Sequence, residues 1–319
     1  MTDLPKRVDI QEEGPREGFQ IEPGPIPTER KIELIDALSE TGLKKIQVAS
    51  YVNPKKVPGW ADADEVVKGF RRHEGVAYHA LWLNEKGLMR ALDAEGLEMI
   101  GSISTTTSES FMIRNTNRGF EENRQVQRNQ IRIYKQHGVP VRRASIMTAF
   151  GCNFEGDIPV ERVVWAVDDI LGVAREEGAD VEVLSLADTM GWANPESVKR
   201  VVGAVRERWP EKRICLHLHD TRGLGVVNAY AGMEMGVDLF DSSVAGLGGC
   251  PFAGHKGAAG NVCTEDLVFM CEEMGIETGI DLDRLIEAAR LAEDIVGHPL
   301  PGSVMKGGSL TKHRQKTAH

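Results

Sequence analysis

Three short runs of the sequence carry side chains that could bind a cation or move a proton. The runs are 12–20, with Arg16 and Glu17; 217–220, with His217 and His219; and 246–261, with Cys250 and Asn261. Carboxylate, imidazole and amide groups are ligands for divalent cations, and a thiol on a loop can deliver a proton. The three runs together predict metal-assisted chemistry.

The two histidines have the spacing that a shared cation requires. Alternate side chains of a strand point to the same face, so His217 and His219 project the same way. A carboxylate from another strand could complete the ligand set. Each run also has a plainer explanation. Run 12–20 could be a solvated loop with ordinary charges, the histidines of 217–220 could be core residues with satisfied hydrogen bonds, and run 246–261 could be a wide turn.

Short apolar runs alternate with amphipathic stretches along the chain, which is the pattern of repeated βα units. Strands are predicted over Arg7–Glu12, Lys45–Ala49, Ala77–Leu83, Met99–Ser104, Val141–Met147, Val181–Ala187, Ile214–His219 and Leu239–Ser243. Helices are predicted over Thr28–Thr41, Glu121–Gln136, Val160–Glu177, Pro195–Trp209, Leu224–Met235 and Asp281–Val296. Eight such units predict an α/β fold, a (β/α)8 TIM barrel with an extra C-terminal helix. A doubly wound open sheet is the alternative.

The predicted barrel also says where reactive groups should lie. In this fold they sit at the carboxyl ends of the strands, where the βα loops build the site. The three runs fall at such ends, and Asp188 adds a carboxylate at the end of the sixth strand. We expect residues 1–300 to form one catalytic barrel and 301–319 a polar, mobile tail.

Composition narrows the class of protein. The 319 residues carry a net charge of -10, which disfavours nucleic acid and anionic membranes as main partners. No run of about 18 uninterrupted apolar residues occurs, and the first residues lack the apolar core of a signal peptide, so a cytoplasmic protein is expected. The five cysteines form no CxxC pair and are expected to be reduced.

The same runs resemble the 3-hydroxy-3-methylglutaryl-CoA (HMG-CoA) lyase family of metal-dependent TIM-barrel lyases. The resemblance extends from about Val8 to Ile295. It depends on GPREGFQ, IPTERKIELIDALSETGL, SYVNPKKVPGWADADEV, LHLHDTRG, FDSSVAGLGGCPFA and GNVCTEDLVFM. The cysteine-bearing glycine loop is the most specific of these, since it separates lyases from related synthases.

The resemblance implies an activity and a set of site residues. The activity is retro-aldol cleavage of a 3-hydroxyacyl-CoA thioester, giving an acyl-CoA such as acetyl-CoA and a keto product. The implied ligands of a divalent cation (Mg²⁺, Mn²⁺ or Zn²⁺) are Glu17, His217, His219 and Asn261. The implied catalytic residues are Arg16, Gln47, Asp188, His217 and Cys250. Arg16 would stabilise the thioester enolate, and Cys250, on a mobile loop, would take part in proton transfer.

Two residues depart from the family pattern inside the implied site. Glu17 replaces an aspartate ligand, and one more methylene shifts the carboxylate by about an ångström or more. Gln47 replaces a glutamate, and a neutral amide cannot act as a base. We therefore expect the reaction type to be retained and the substrate to differ from HMG-CoA.

Two other functions fit the same barrel. One is a Claisen-type synthase that joins acetyl-CoA to a 2-oxo acid; the short segment after the eighth unit and the Cys250 loop argue against it. The other is a catalytically inactive barrel that binds coenzyme A. For the lyase we expect an acyl-CoA substrate and a homo-oligomer, a dimer or larger, as the family resemblance implies.

Overall fold

The computed structural model describes residues 4–249, 259–311 and Arg314. Its strands are β1 Asp9–Glu12, β2 Lys45–Ser50, β3 Ala77–Leu81, β4 Gly101–Thr106, β5 Val141–Met147, β6 Val183–Ala187, β7 Arg213–His217 and β8 Leu239–Ser242. Its helices are α1 Gly14–Ile21, α2 Thr28–Ser39, α3 Ala63–Gly69, α4 Glu85–Asp93, α5 Glu109–Thr116, α6 Phe120–Gln136, α7 Val160–Glu176, α8 Pro195–Arg208, α9 Gly225–Glu234, α10 Thr264–Glu273, α11 Leu282–Val296 and α12 Val304–Gly307.

The strands form one curled parallel sheet in the order β3-β2-β1-β8-β7-β6-β5-β4. β1 pairs with β8 along its whole length. Between β3 and β4, where the ladder order ends, the backbone N–H of Glu98 donates to the carbonyl of Tyr78 at 2.7 Å. Neighbours in sequence are thus neighbours around the ring, and helices separate them. The (β/α)8 TIM barrel is confirmed, and the doubly wound alternative is wrong.

The first strand leads directly into a helix where the sequence predicted a loop. α1 begins at Gly14, and Pro15 occupies its first turn, where a fixed φ favours a helix and no N–H is needed. The carboxylate of Glu12 accepts the N–H of Gly14 at 2.7 Å. Arg16 and Glu17 therefore stand on the first turn of a helix rather than on a loop.

β7 ends two residues before the predicted end at His219. Its last ladder partner is Ala187, which pairs with His217. Beyond it the chain pairs with a different segment, since Asp220 N donates to Gly260 O at 2.8 Å and His219 forms an isolated bridge with Asn261. This change of partner brings the segment that carries Asn261 beside the second histidine.

The helix expected after the eighth strand is confirmed as α11. The segment beyond it differs in part from the expected tail, because α12 lies there and Met305 is buried against the core. The division into a single catalytic barrel over residues 1–300 stays a prediction. Among the described residues, no helix is both long and apolar enough to span a bilayer.

Candidate active site

The first turn of α1 presents a guanidinium between two carboxylates. Arg16 Nη2 donates to Glu13 Oε2 at 2.8 Å and to Glu17 Oε2 at 3.2 Å. Arg16 Nε donates to the side-chain oxygen of Gln47, the third residue of β2. Arg16 O accepts the indole N–H of Trp60 at 2.8 Å. The guanidinium is thus fixed in one orientation at the carboxyl end of β1.

The two histidine rings lie together at the end of β7, two strands from β1 in the ring. Their centroids are 5.3 Å apart. His217 is the register partner of Asp241 across β7 and β8, and its Nδ1 lies 3.3 Å from Asp241 Oδ2. His219 is buried, and neither of its ring nitrogens has a hydrogen-bond partner of normal geometry among the described residues.

Asn261 completes this group. Its amide nitrogen donates to Ser243 Oγ at 2.8 Å, which fixes the amide, and its Oδ1 is buried without a partner in the described part of the chain. A β-carbon built on Gly248 would meet both Glu17 Cγ, at 2.8 Å, and Asn261 Nδ2, at 3.0 Å. Gly248 has a φ of 87°, which favours glycine. The structure therefore brings Glu17, His217, His219 and Asn261 together.

This set fits a divalent cation. One ligand atom each from Glu17, His217 and His219 lie within 4.8 Å of one another. Buried polar atoms without partners are costly, and here they are the imidazole nitrogens and an amide oxygen, which are donors to divalent ions. An ion at this place would satisfy Asn261 Oδ1 and one of the two ring nitrogens of His219.

A second acidic group nearby is a poorer cation site. Glu13, His217 and Asp241 also lie within 4.8 Å of one another. Their carboxylates already have donors, because Arg16 donates to Glu13 and Asp241 accepts from Gln11 Nε2 at 3.0 Å and from Arg143 Nη1 at 3.1 Å. We take these acids as partners of the site rather than as ligands.

Asp188 lies behind the site. Its Oδ1 accepts the backbone N–H groups of Trp192 at 2.7 Å and Ala193 at 3.0 Å, so the carboxylate shapes the loop after β6. Its Oδ2 is buried without a partner among the described residues. The neighbouring Thr189 lines the central cavity, whereas Asp188 is absent from the described lining.

A cavity of about 1050 Å³ opens beside these groups. The cavity is lined by Arg16, Gln47, His217 and His219, together with Gly249 of the glycine-rich run 246–261. Cys250 was predicted to reach this place, but it lies outside the described residues. Residues at the amino-terminal ends of the strands line the cavity as well, so this volume spans the barrel interior and not the site alone.

The charges of the site are strongly coupled. Burial would lower the pKa of His217, but the hydrogen bond to Asp241 and the charge of Glu17 outweigh it and raise the pKa to about 9. Burial, and then the neighbouring His217, lower the pKa of His219 to about 4. Burial would raise the pKa of Asp241, but Arg143 and His217 hold it well below its usual range.

Three functional neighbours were missed in the sequence: Glu13, Arg143 and Asp241. Arg143 Nη2 donates to Asp241 and, at 2.7 Å, to Ser185 Oγ, inside the barrel. A signal was present, since β5 and β8 carry opposite charges, Arg143 and Asp241, at positions that face inward. Pairing them requires knowing that β5 and β8 face each other across the interior.

Comparison with known proteins places this geometry in a family. Residues 7–292 match the family model described as HMGL-like. The chain belongs to the HMGL-like family. Hydroxymethylglutaryl-CoA lyase YngG of Bacillus subtilis is 41% identical over 297 residues, which cover 93% of this chain and 96% of that relative. The 3-hydroxy-3-isohexenylglutaryl-CoA/hydroxy-methylglutaryl-CoA lyase of Pseudomonas aeruginosa is 38% identical over 294 residues. The match covers 92% of this chain and 94% of that relative.

Solved HMGL-like structures agree with the barrel. An HMG-CoA lyase from Acinetobacter baumannii, solved in complex with coenzyme A and 3-methylmalate, has a TM-score of 0.85 and 39% identity and covers 98% of each chain. The B. subtilis HMG-CoA lyase structure has a TM-score of 0.87 and 38% identity, and it covers 95% of this chain and 98% of that one.

Membership of the HMGL-like family confirms the resemblance and the enzyme class. The protein is a carbon–carbon lyase that acts by retro-aldol cleavage of an acyl-CoA thioester. The lyase is thereby preferred to the Claisen synthase. The family is metal-dependent, in agreement with the cation site described above.

Proposed function

We propose that this lyase cleaves a 3-hydroxyacyl-CoA other than HMG-CoA, with Glu17, His217, His219 and Asn261 as cation ligands. The observation that carries the proposal is the position of Arg16. It is fixed by three side chains beside the candidate cation site and lines the same cavity. Arg16 and the ligands can therefore act on one substrate.

The reaction divides between the candidate cation ligands and the neighbouring Arg16 guanidinium. The 3-hydroxyl group would pass its proton to a basic group in the cavity and become the carbonyl of the keto product, while the electrons of the C2–C3 bond pass to the thioester as an enolate. A divalent cation (Mg²⁺, Mn²⁺ or Zn²⁺) held by the four ligands would lower the pKa of that hydroxyl and fix its oxygen. The Arg16 guanidinium would stabilise the negative charge that appears on the thioester oxygen.

The enolate carbon must then take a proton to give acetyl-CoA or a related acyl-CoA. A thiol on a closing loop can deliver it and keep water away. Cys250 is our candidate, since it follows Gly249, which lines the cavity. Its part in the reaction stays a prediction.

Gln47 and Glu17 support a substrate other than HMG-CoA. The oxygen of Gln47 is already used by Arg16, so the amide N–H groups remain to donate to the substrate. A glutamate at that position would repel a substrate oxygen with the same location. We expect the amide to favour an acyl group that places an acceptor beside Arg16.

Steady-state kinetics across a panel of thioesters tests the proposal. The panel contains HMG-CoA, longer 3-substituted glutaryl thioesters and shorter ones built on methylmalate. These choices follow the compounds named for the relatives from P. aeruginosa and A. baumannii. We expect kcat/KM for another thioester to exceed that for HMG-CoA by at least about tenfold, which is about 1.4 kcal/mol. Fast cleavage of HMG-CoA with no better substrate would refute the altered specificity, and cleavage of none would refute the activity.

Two further properties stay proposals. We propose a homo-oligomer, tested by light scattering of the purified protein across concentrations. A cytoplasmic location is proposed from the sequence and is tested by fractionation of the source cells.

A further inference from the structure

The acid that the family resemblance expects at position 47 has a substitute on another strand. Gln47, in β2, is neutral, yet the Arg16 guanidinium that it contacts still has a close carboxylate partner. That partner is Glu13, whose Oε2 lies 2.8 Å from Arg16 Nη2. The end of β1 thus supplies a negative charge that β2 lacks.

Glu13 occupies a functional position rather than a surface one. Its side chain is 9% exposed, the Arg16 side chain is 12% exposed, and both line the cavity. Its Oε2 is also 3.8 Å from His217 Nδ1, so it stands between the guanidinium and the histidine. A buried charge pair of this kind is geometrically specific, since the carboxylate receives a charge-assisted hydrogen bond.

The contacts of Arg16 divide into two kinds. Glu17 contacts Arg16 at 3.2 Å, but it also belongs to the candidate cation ligands. Its negative charge is therefore shared between Arg16 and the cation site. Gln47 orients Nε without neutralising it. Glu13 is therefore the carboxylate left to hold the guanidinium, and its removal would leave Arg16 oriented mainly by a neutral amide.

We propose that Glu13 is the positioning residue for Arg16, in the place that a glutamate at position 47 takes in the family pattern. The inference rests on the proposed function, because Arg16 has its role there. Glu13 acts through Arg16, so its loss should reduce the rate of the bond-breaking step more than substrate binding. It should leave cation binding intact.

The test moves the negative charge from position 13 to position 47. Four proteins are compared on the best thioester of the panel: wild type, Glu13→Gln, Gln47→Glu and the double variant. We expect Glu13→Gln to lower kcat about 100-fold with KM changed less than about threefold. The double variant returns the carboxylate to position 47 and should recover at least about tenfold of the lost kcat.

A matched control comes from the chain itself. Arg30 and Glu33 form another Arg–Glu pair three residues apart, on the exposed face of α2. Glu33→Gln should leave kcat within about twofold of wild type. Glu13→Asp keeps the charge but shortens its reach, and we expect an intermediate loss of about tenfold in kcat. This variant tests the inference even if Glu13→Gln folds poorly.

Mn²⁺ binding in the absence of substrate separates positioning from ligation. Glu13→Gln should bind Mn²⁺ with an affinity within about threefold of wild type, measured by titration against a chelator. Loss of Mn²⁺ binding in this variant would make Glu13 a ligand and overturn the inference. So would a double variant no faster than Glu13→Gln, or a Glu13→Asp variant as fast as wild type. Failure of the wild type on every thioester would instead refute the proposed function.

Discussion

His217 and Asp241 face each other across β7 and β8 as register partners, with Nδ1 of the ring 3.3 Å from Oδ2 of the carboxylate. An ionised carboxylate only accepts hydrogen bonds, so Nδ1 donates to Asp241. A cation would bind at Nε2 in place of the second proton that the raised pKa of His217 favours there. Arg143 and Gln11 donate to the same carboxylate and hold it still. The interior of the barrel thus sets the orientation of one proposed ligand.

Asp241→Asn should therefore weaken cation binding without touching a proposed ligand atom. Partners behind a histidine ligand typically contribute 10–100-fold in affinity, and we expect a loss of about that size for Mn²⁺. Titration of the purified protein against a chelator gives the value. Asp238→Asn is the matched control, because Asp238 precedes the same strand but pairs with Arg213 at the surface. Equal Mn²⁺ affinity in Asp241→Asn and wild type would contradict the role given to Asp241.

Arg16→Gln should lower kcat by about 10²–10³, because the loss of one fixed donor to a developing oxyanion costs that much. KM should change little if Arg16 acts mainly on the transition state. Arg16→Lys keeps the charge but loses the forked contacts to Glu13 and Gln47. Its kcat should therefore lie between those of wild type and Arg16→Gln. Arg30→Gln, on the exposed face of α2, is the control. A kcat for Arg16→Gln close to wild type would remove Arg16 from the chemistry.

Removal of the cation should stop turnover and lower stability together. After treatment with EDTA and desalting we expect little activity, with recovery on addition of Mn²⁺. Free Mn²⁺ at 100 times its Kd should add about 2.7 kcal/mol to the free energy of unfolding. His219→Ala should abolish this stabilisation, because both ring nitrogens lack other partners of normal geometry in the described residues. His298→Ala, on the surface, should retain it. Full activity after exhaustive chelation would contradict a cation-dependent reaction.

The barrel was predictable because its strands and helices differ in hydrophobic period, and that period is local. The predicted β5 matches the structure, and the other strand ends differ by a few residues. The end of β7 was misplaced because His219 pairs with Asn261, far along the chain. α1 was missed because its short sequence is rich in glycine and charge and is fixed by Pro15 and Glu12.

The candidate site was predictable only in part, for a similar reason. Arg16, Glu17, His217, His219 and Asn261 lie in recognisable motifs, and the structure brings them together. Glu13 and Asp241 depend on which strands adjoin and which way their side chains face, and no local pattern gives that information. Asp188 appeared as one more strand-end acid, whereas its hydrogen bonds are to the loop after β6.

Glu265 gives a prediction for stability against pH. Its carboxyl group is buried on α10, with Oε2 accepting the N–H of Ala245 at 2.9 Å and Oε1 without a partner among the described residues. Burial raises the pKa of Glu265 to about 8, and the pKa of nearby Glu12 is raised by burial to about 7. These two acids hold the turn that precedes the glycine-rich segment, since Val244 N donates to Glu12 at 2.8 Å.

An acid whose pKa is raised by folding destabilises the folded state at pH values above its unfolded pKa, because the unfolded chain can ionise there while the folded protein keeps the proton. Above pH 4.5 the unfolded chain releases the Glu265 proton and the folded protein does not, so the free energy of unfolding falls as pH rises towards about 8. One group contributes at most about 1.4 kcal/mol per pH unit. Between pH 7 and 8 Glu12 passes from about half ionised to mostly ionised, so its contribution to the slope fades before that of Glu265. Glu265→Gln has no proton to release, and its urea-unfolding free energy should fall less over this interval than that of wild type. Glu287→Gln, exposed on α11, should follow the wild-type curve, and parallel curves for Glu265→Gln and wild type would show that the Glu265 carboxyl is ionised in the folded protein.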